Sequence, residues 1–184
     1  MIVYFHMSKV IMGIGIPGSG KSTILKAFAN KNNYIYICPD DIRTELTGNP
    51  IDQTKNKEVW ETTYQRASEA IRSEATVVVD ATFANAGQRK SFLEFLRNAG
   101  AQKIEGLYVN TPLEIAKERN ASRERKVPEH VLERMSGFMK ENPPEINDGF
   151  DALFILDENQ EMISAEIKNK NEEVLRKEFH VKMK

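Results

Sequence analysis

The sequence predicts an α/β fold built on a mostly parallel sheet, and three observations carry that prediction. Five short apolar runs are spread along 184 residues. Stretches with helical periodicity fill the gaps between them, and a glycine-rich turn joins the first run to the first helix. No internal repeat or low-complexity segment interrupts the alternation, so a single domain over 1–184 is expected.

The elements can be justified in order. "KVIMGIGI" (9–16), "YIYIC" (34–38), "TVVVD" (76–80), "KIEGLYV" (103–109) and "DALFIL" (151–156) read as strands from their β-branched and aromatic content. The three valines before Asp80 need cover on both faces, as strands of a parallel sheet have. In 54–74, Trp60, Tyr64, Ala67 and Ile71 form one apolar stripe at helical spacing, and Phe92, Leu93 and Leu96 do the same in 87–98. "TPLEIAKERN" (111–120) offers a threonine cap with proline in the first helical position. "VPEHVLERMSGFMK" (127–140) places Val131, Leu132, Met135, Phe138 and Met139 on one side. "NPPEINDGF" (142–150) reads as a loop, and the tail from about Ile163 to 184 as a last hairpin and helix.

Composition excludes several classes. With 26 basic and 27 acidic residues the net charge is −1, which rules out a globally basic nucleic-acid binder but allows a local basic patch. The one cysteine, Cys38, cannot form an intramolecular disulfide, and His6, His130 and His180 are too far apart to suggest a zinc site. A cytoplasmic location is expected. "MIVYFH" (1–6) is too short for the apolar region of a signal peptide, and Met7 is an alternative start. No apolar run approaches the length of a membrane span, so no membrane partner is expected.

Four motifs carry chemistry. The first is "GIPGSGKST": Gly15, Gly20, Lys21 and Ser22 complete the pattern G-x-x-x-x-G-K-[ST]. Backbone N–H groups of such a loop converge on phosphate oxygens, and the helix that follows adds its positive dipole end. Gly15, Pro17, Gly18, Ser19, Gly20, Lys21, Ser22 and Thr23 are therefore candidates for holding a nucleotide. Lys21 is expected to reach the β- and γ-phosphates rather than to face the core, and Ser22 to hold Mg²⁺. The second motif is "VVVDAT", in which Asp80 ends an apolar strand, as does the carboxylate that supports Mg²⁺ in P-loop proteins.

The third motif is "CPDDIR" (38–43), at the sheet edge where ligands of open α/β folds bind. One aspartate is expected to cap a helix beginning near Ile42, which frees the other to act as general base beside an acceptor hydroxyl. Arg43, one turn along, is a candidate for an anionic part of the acceptor. The fourth is "RNASRERKVP" (119–128), a cluster of Arg119, Arg123, Arg125 and Lys126 between two helices. Charge runs are usually solvated faces, but this one lies where P-loop kinases carry a mobile lid. A lid arginine can neutralise the charge that grows on a transferring phosphoryl group. Arg119 and Arg123 share a face if the helix extends that far.

In order and spacing, these motifs resemble the kinase domain of the phage end-repair 5′-polynucleotide kinases, within the wider group of P-loop kinase-like ATP-binding proteins. The resemblance covers roughly residues 8 to 156. It implies five parallel strands in the order 2-3-1-4-5 and an arginine-bearing lid over about 119–134. It implies ATP and Mg²⁺, with Lys21 and Ser22 on the phosphates and metal. Asp40 resembles the base that activates a 5′-hydroxyl, and Arg43 the arginine on the phosphate 3′ of the terminal nucleotide. Asp80 resembles an aspartate of the active-site network. Arg119 and Arg123 fall on the donor side, with Arg123 resembling the lid arginine. The lid is one residue shorter than the phage pattern, so Arg125 is an alternative to Arg123. The phage phosphatase motif D-x-D-G-T has no match in "FILDENQEMIS" (154–164), so no 3′-phosphatase activity is implied.

The expected function is transfer of the γ-phosphate of ATP to a hydroxyl, with the 5′-hydroxyl of a polynucleotide as the best acceptor. A kinase for a nucleoside, sugar or antibiotic hydroxyl would share every ATP-side residue. A non-catalytic ATP-binding switch would need no acceptor base, and the Asp40–Arg43 pair argues against it.

Overall fold

The computed structural model describes residues 7–169, 171 and 173–178. In chain order the elements are β1 (Lys9–Ile14), α1 (Lys21–Asn32), β2 (Ile35–Ile37), α2 (Pro39–Thr47), α3 (Asn56–Arg72), β3 (Thr76–Asp80) and α4 (Ala86–Asn98). They continue as β4 (Lys103–Val109), α5 (Leu113–Ala121), α6 (Glu129–Glu141), a 3-10 turn at Ile146–Asp148, β5 (Ala152–Leu156), β6 (Met162–Lys168) and β7 (Val174–Glu178).

The strands form one sheet in the order β2-β3-β1-β4-β5-β6-β7. The first five are parallel and follow the expected 2-3-1-4-5 order. The expectation of five strands is corrected: β6 and β7 extend the sheet, each antiparallel to its predecessor. An antiparallel neighbour needs only a short turn, whereas a parallel one needs a long crossover, so a tail of this length adds hairpin strands at the β5 edge. The last helix expected in the tail is replaced by β7 as far as Glu178, and 179–184 lie outside the described residues.

Cover on both faces explains the valine run: Val77, Val78 and Val79 are all fully buried. Val77 and Val79 join the larger core with Val10, Met12, Ile14, Phe92, Leu93 and Leu96. Val78 points the other way, into a small cluster with Ile11, Leu25 and Ala29, where α1 covers the sheet. The stripe of α3 faces the larger core, with Ala67 and Ile71 buried and Trp60 and Tyr64 packed at its margin.

Three local expectations change. Helix α2 begins at Pro39, with Cys38 in extended conformation as its N-cap and no side-chain cap. Proline suits that first position, because its missing N–H would have no helical partner there. Neither aspartate is the cap; both Asp40 and Asp41 lie in the first turn. At α5 the cap position belongs to Pro112, and the Thr111 hydroxyl instead donates to the Ser19 carbonyl at 3.2 Å. On α6, Leu132 and Met139 are buried but Phe138 is exposed. At 3.6 residues per turn Phe138 lies roughly 120° round the helix from the line through Leu132 and Met139.

Candidate active site

β1 delivers the chain to the carboxyl edge of the sheet, where the loop 15–20 turns into α1. Gly18 has φ of +86°, and a Cβ there would lie 2.3 Å from the Ala116 carbonyl oxygen. Gly20 (φ +90°) is the N-cap of α1. L side chains rarely adopt either conformation, so glycine is what lets the loop close this tightly. The start of α1 has no side-chain cap and no acidic residue in its first turn. Among the described residues no backbone carbonyl accepts from the N–H groups of Gly18, Gly20, Lys21 or Ser22. Free donors and the positive helix end thus converge without internal neutralisation, which is the chemistry of an anion site.

These groups open on a cavity of about 310 Å³. Residues 16–23, including Pro17, Ser19 and Thr23, form one wall; Asp40, Thr82, Arg119, Arg123, Arg125 and Val127 complete it. Ser19 is buried, and its Oγ has no hydrogen-bond partner. Gly15 sits at the loop's base, where its N–H donates to the Thr82 carbonyl at 3.1 Å.

Asp80 lies beneath this cavity. The β1–β3 register sets it opposite Gly13, so β3 ends beside the loop. Its side chain is 0% exposed and pairs with Lys21 Nζ at 2.7 Å. The Tyr36 hydroxyl donates to its other oxygen at 2.5 Å. Burial alone would raise the Asp80 pKa, but the Lys21 ammonium and the Ser22 and Tyr36 hydroxyls outweigh it and hold the carboxyl below its ordinary 3.8. Burial and the Asp80 charge push the Tyr36 phenol far above its usual range, which fixes Tyr36 as a donor.

The donor set here suits Mg²⁺. The Ser22 hydroxyl and the Asp80 carboxylate are hard oxygen ligands, and the hydroxyl helps to hold the carboxyl ionised. Mg²⁺ commonly takes one or two protein oxygens and completes its shell with phosphate and water. Among the described residues no cluster of three or more His, Cys, Asp or Glu offers a fuller cage.

Asp40 sits across the cavity, with a side chain 50% exposed. Arg43 Nη1 donates to its Oδ1, and Arg125 Nη1 lies 2.8 Å from its Oδ2. Arg43 itself is 5% exposed, does not line the cavity, and donates through Nη2 to Asn56 Oδ1 at 3.0 Å. Asp41 turns away to Lys26, 3.4 Å distant.

The arginines between Arg119 and Arg125 separate into different environments. Arg119 donates to the Ser19 carbonyl at 3.4 Å and to the Glu158 carbonyl at 2.8 Å. Helix α5 ends at Ala121, so Arg123 does not continue the face of Arg119. Arg123 is exposed at the cavity and Arg125 is half-buried against Asp40.

Four contributors were missed in the sequence. Tyr36 read only as part of an apolar run, although alternation along "YIYI" puts Tyr34 and Tyr36 on one face. Thr82 sits in the "VVVDAT" motif without having been singled out. Asn56, in the first turn of α3, carries no local signal. Arg89 is fully buried, pairs with Asp148 at 2.9 Å and donates to the carbonyls of Phe83, Asn142 and Pro143. It fixes the turn after β3 against the loop after α6.

The profile of one protein family, the AAA domain, matches residues 10–142, and the chain belongs to that family. The L-seryl-tRNA(Sec) kinase of Methanococcus maripaludis is 25% identical over 135 residues, which cover 68% of this chain and 50% of that one. The chain thus spans about half the length of this curated relative. Among solved structures, a chain of the Pnkp1/Rnl/Hen1 RNA repair complex is similar with a TM-score of 0.67 at 17% identity, over 76% of this chain and 46% of that one. A gluconokinase from Sinorhizobium meliloti 1021 gives a TM-score of 0.54 at 21% identity, over 85% of each chain. The fold is that of P-loop kinase-like α/β proteins.

Proposed function

We propose that the protein is an ATP-dependent phosphotransferase that moves the γ-phosphate to an acceptor hydroxyl, with Asp40 as general base. One observation carries this reading: Asp40, half exposed, faces the same cavity as the phosphate-binding loop. A module that only bound ATP would need no carboxylate opposite that loop. Asp40 takes the hydroxyl proton, the hydroxyl oxygen attacks the γ-phosphorus, and the bond to the bridging oxygen breaks to release ADP. The loop N–H groups hold phosphate oxygens. Lys21 has three donors and can reach phosphate while keeping Asp80. Arg119 and Arg123 offset charge on the donor side. Ser22 and Asp80 would hold Mg²⁺, which when bound neutralises β- and γ-phosphate oxygens.

The acceptor we favour is the 5′-hydroxyl of a polynucleotide. Arg43, next to the base, supplies the cation for a neighbouring phosphate, and the curated relative is named for a hydroxyl carried on an RNA. The runner-up is a small-molecule hydroxyl.

The test offers γ-labelled ATP with 5′-hydroxyl DNA and RNA oligonucleotides, seryl-tRNA, nucleosides and sugars. Label is expected on the oligonucleotides. Asp40→Asn should lower transfer by about a hundredfold or more, and Asp41→Asn far less, because Asp41 faces Lys26 outside the cavity. Label on a sugar alone would overturn the nucleic-acid assignment and keep the kinase. Intact ADP binding with no labelled acceptor would overturn both.

A further inference from the structure

Two guanidinium groups from separate elements meet at one carboxylate. Arg43 comes from α2 and Arg125 from the segment between α5 and α6, and each takes a different oxygen of Asp40. Two positive charges against one negative leave a surplus of one positive charge. The other partner of Arg43 is the neutral Asn56, and the adjacent acid, Asp41, is paired with Lys26. The Nε atoms of both arginines are buried without a hydrogen-bond partner. Arg43 is 5% exposed, so its unmatched charge and unsatisfied donor carry a real desolvation cost.

We infer that Arg125 belongs to the acceptor side of the site and closes with Arg43 on a phosphate that the acceptor carries beside its reacting hydroxyl. Two guanidinium forks that already converge on one carboxylate can bracket a tetrahedral dianion, with planar donor pairs that suit phosphate oxygens. The arriving phosphate balances the charge and releases at least one Asp40 oxygen to accept the hydroxyl proton. Because Arg125 sits in the lid, acceptor binding and lid closure become one event. The donor phosphates are left to Arg119 and Arg123, which line the cavity and make no contact with Asp40. The inference rests on the reading of Asp40 as general base.

The experiment has two arms on the intact protein. In the first, nucleoside 3′-monophosphate, unphosphorylated nucleoside and a sugar phosphate are titrated calorimetrically with ADP saturating. Arg125→Ala is expected to weaken binding of the nucleoside 3′-monophosphate by about 10- to 100-fold, the range for hydrogen bonds to charged groups, and to leave the bare nucleoside unmoved. Arg125→Lys should recover part of the loss. Tight binding of the sugar phosphate alone would keep the phosphate site but assign it to a small molecule. In the second arm, Arg125→Ala should raise the acceptor KM and leave the ATP KM within about twofold. A rise in the ATP KM with an unchanged acceptor KM would place Arg125 on the donor side and overturn the inference. Tighter acceptor binding in Arg125→Ala would make the contact a mere latch on Asp40 and also overturn it. Failure of all transfer would sink the proposed function, whereas binding of either phosphate that depends on Arg125 and Arg43 would still stand; binding of neither phosphate would sink the inference.

Discussion

Lys21 and Asp80 hold each other before any nucleotide arrives. The lysine expected to face only phosphate is also the partner of a carboxylate whose side chain is 0% exposed. Removing one member of a buried pair typically costs about 3–5 kcal/mol, because the other is left charged and unpaired. Lys21→Met should therefore destabilise the nucleotide-free protein by about that amount in urea denaturation. Adding Asp80→Asn should restore most of the stability without restoring phosphoryl transfer. The same pair sets an acid limb. Asp80 is held below its ordinary 3.8, so its ionised form favours the folded state. That contribution is complete above the unfolded value and is lost as the pH falls through the lower folded value. Urea midpoints of the wild type should drop below about pH 4, and Asp80→Asn should flatten this limb. An unchanged slope in Asp80→Asn would mean that other carboxylates govern acid unfolding.

At the scale of elements, α1 does two tasks with one geometry. Its first turn presents free N–H groups to the cavity, while Leu25 and Ala29 cover the thinner face of the sheet against Ile11 and Val78. Few buried residues share that work, so Leu25→Ala should cost about 2–5 kcal/mol. It should also weaken ADP binding, since the loop is anchored on the same helix. Thermal melts with and without ADP separate the two effects. Helix α2 shows how much of an element is legible. "CPDDIR" identified the helix and its sheet-edge position, but the start was misplaced because aspartate is equally at home as cap and in the first turn. Which role it takes depends on whether proline can occupy the first position, and here Pro39 does.

Across the whole molecule, Arg89 ties regions far apart in sequence. It is 0% exposed and links the turn after β3 to the loop 142–148 through Asp148 and three carbonyls. Arg89→Met should lower stability by about 3–5 kcal/mol, as for other broken buried pairs. Circular dichroism melts would show it, and a loss under about 1 kcal/mol would mean that the loop holds its place by Ile146 and Phe150 packing alone. Nothing near "AGQRKSF" announces this role, because a charged residue on an otherwise amphipathic helix reads as solvated until its partners fold over it.

The sequence by itself determined the alternation of strands and helices, the parallel core of the sheet and the phosphate-binding loop. Each of these depends on local chemistry: periodic apolar residues, glycines where φ is positive, and a helix start without an acid. It also placed Asp40, Arg43 and Asp80 at the carboxyl edge, since strand ends are readable from where apolar runs stop. Only the tertiary structure decided that the tail adds two antiparallel strands, that Tyr36 and Lys21 share Asp80, and that Arg125 rather than Arg123 meets Asp40. The side-chain contacts among these join residues 44 to 85 positions apart. Their geometry is fixed by sheet register and helix packing, and no local pattern encodes which of several arginines a carboxylate will find.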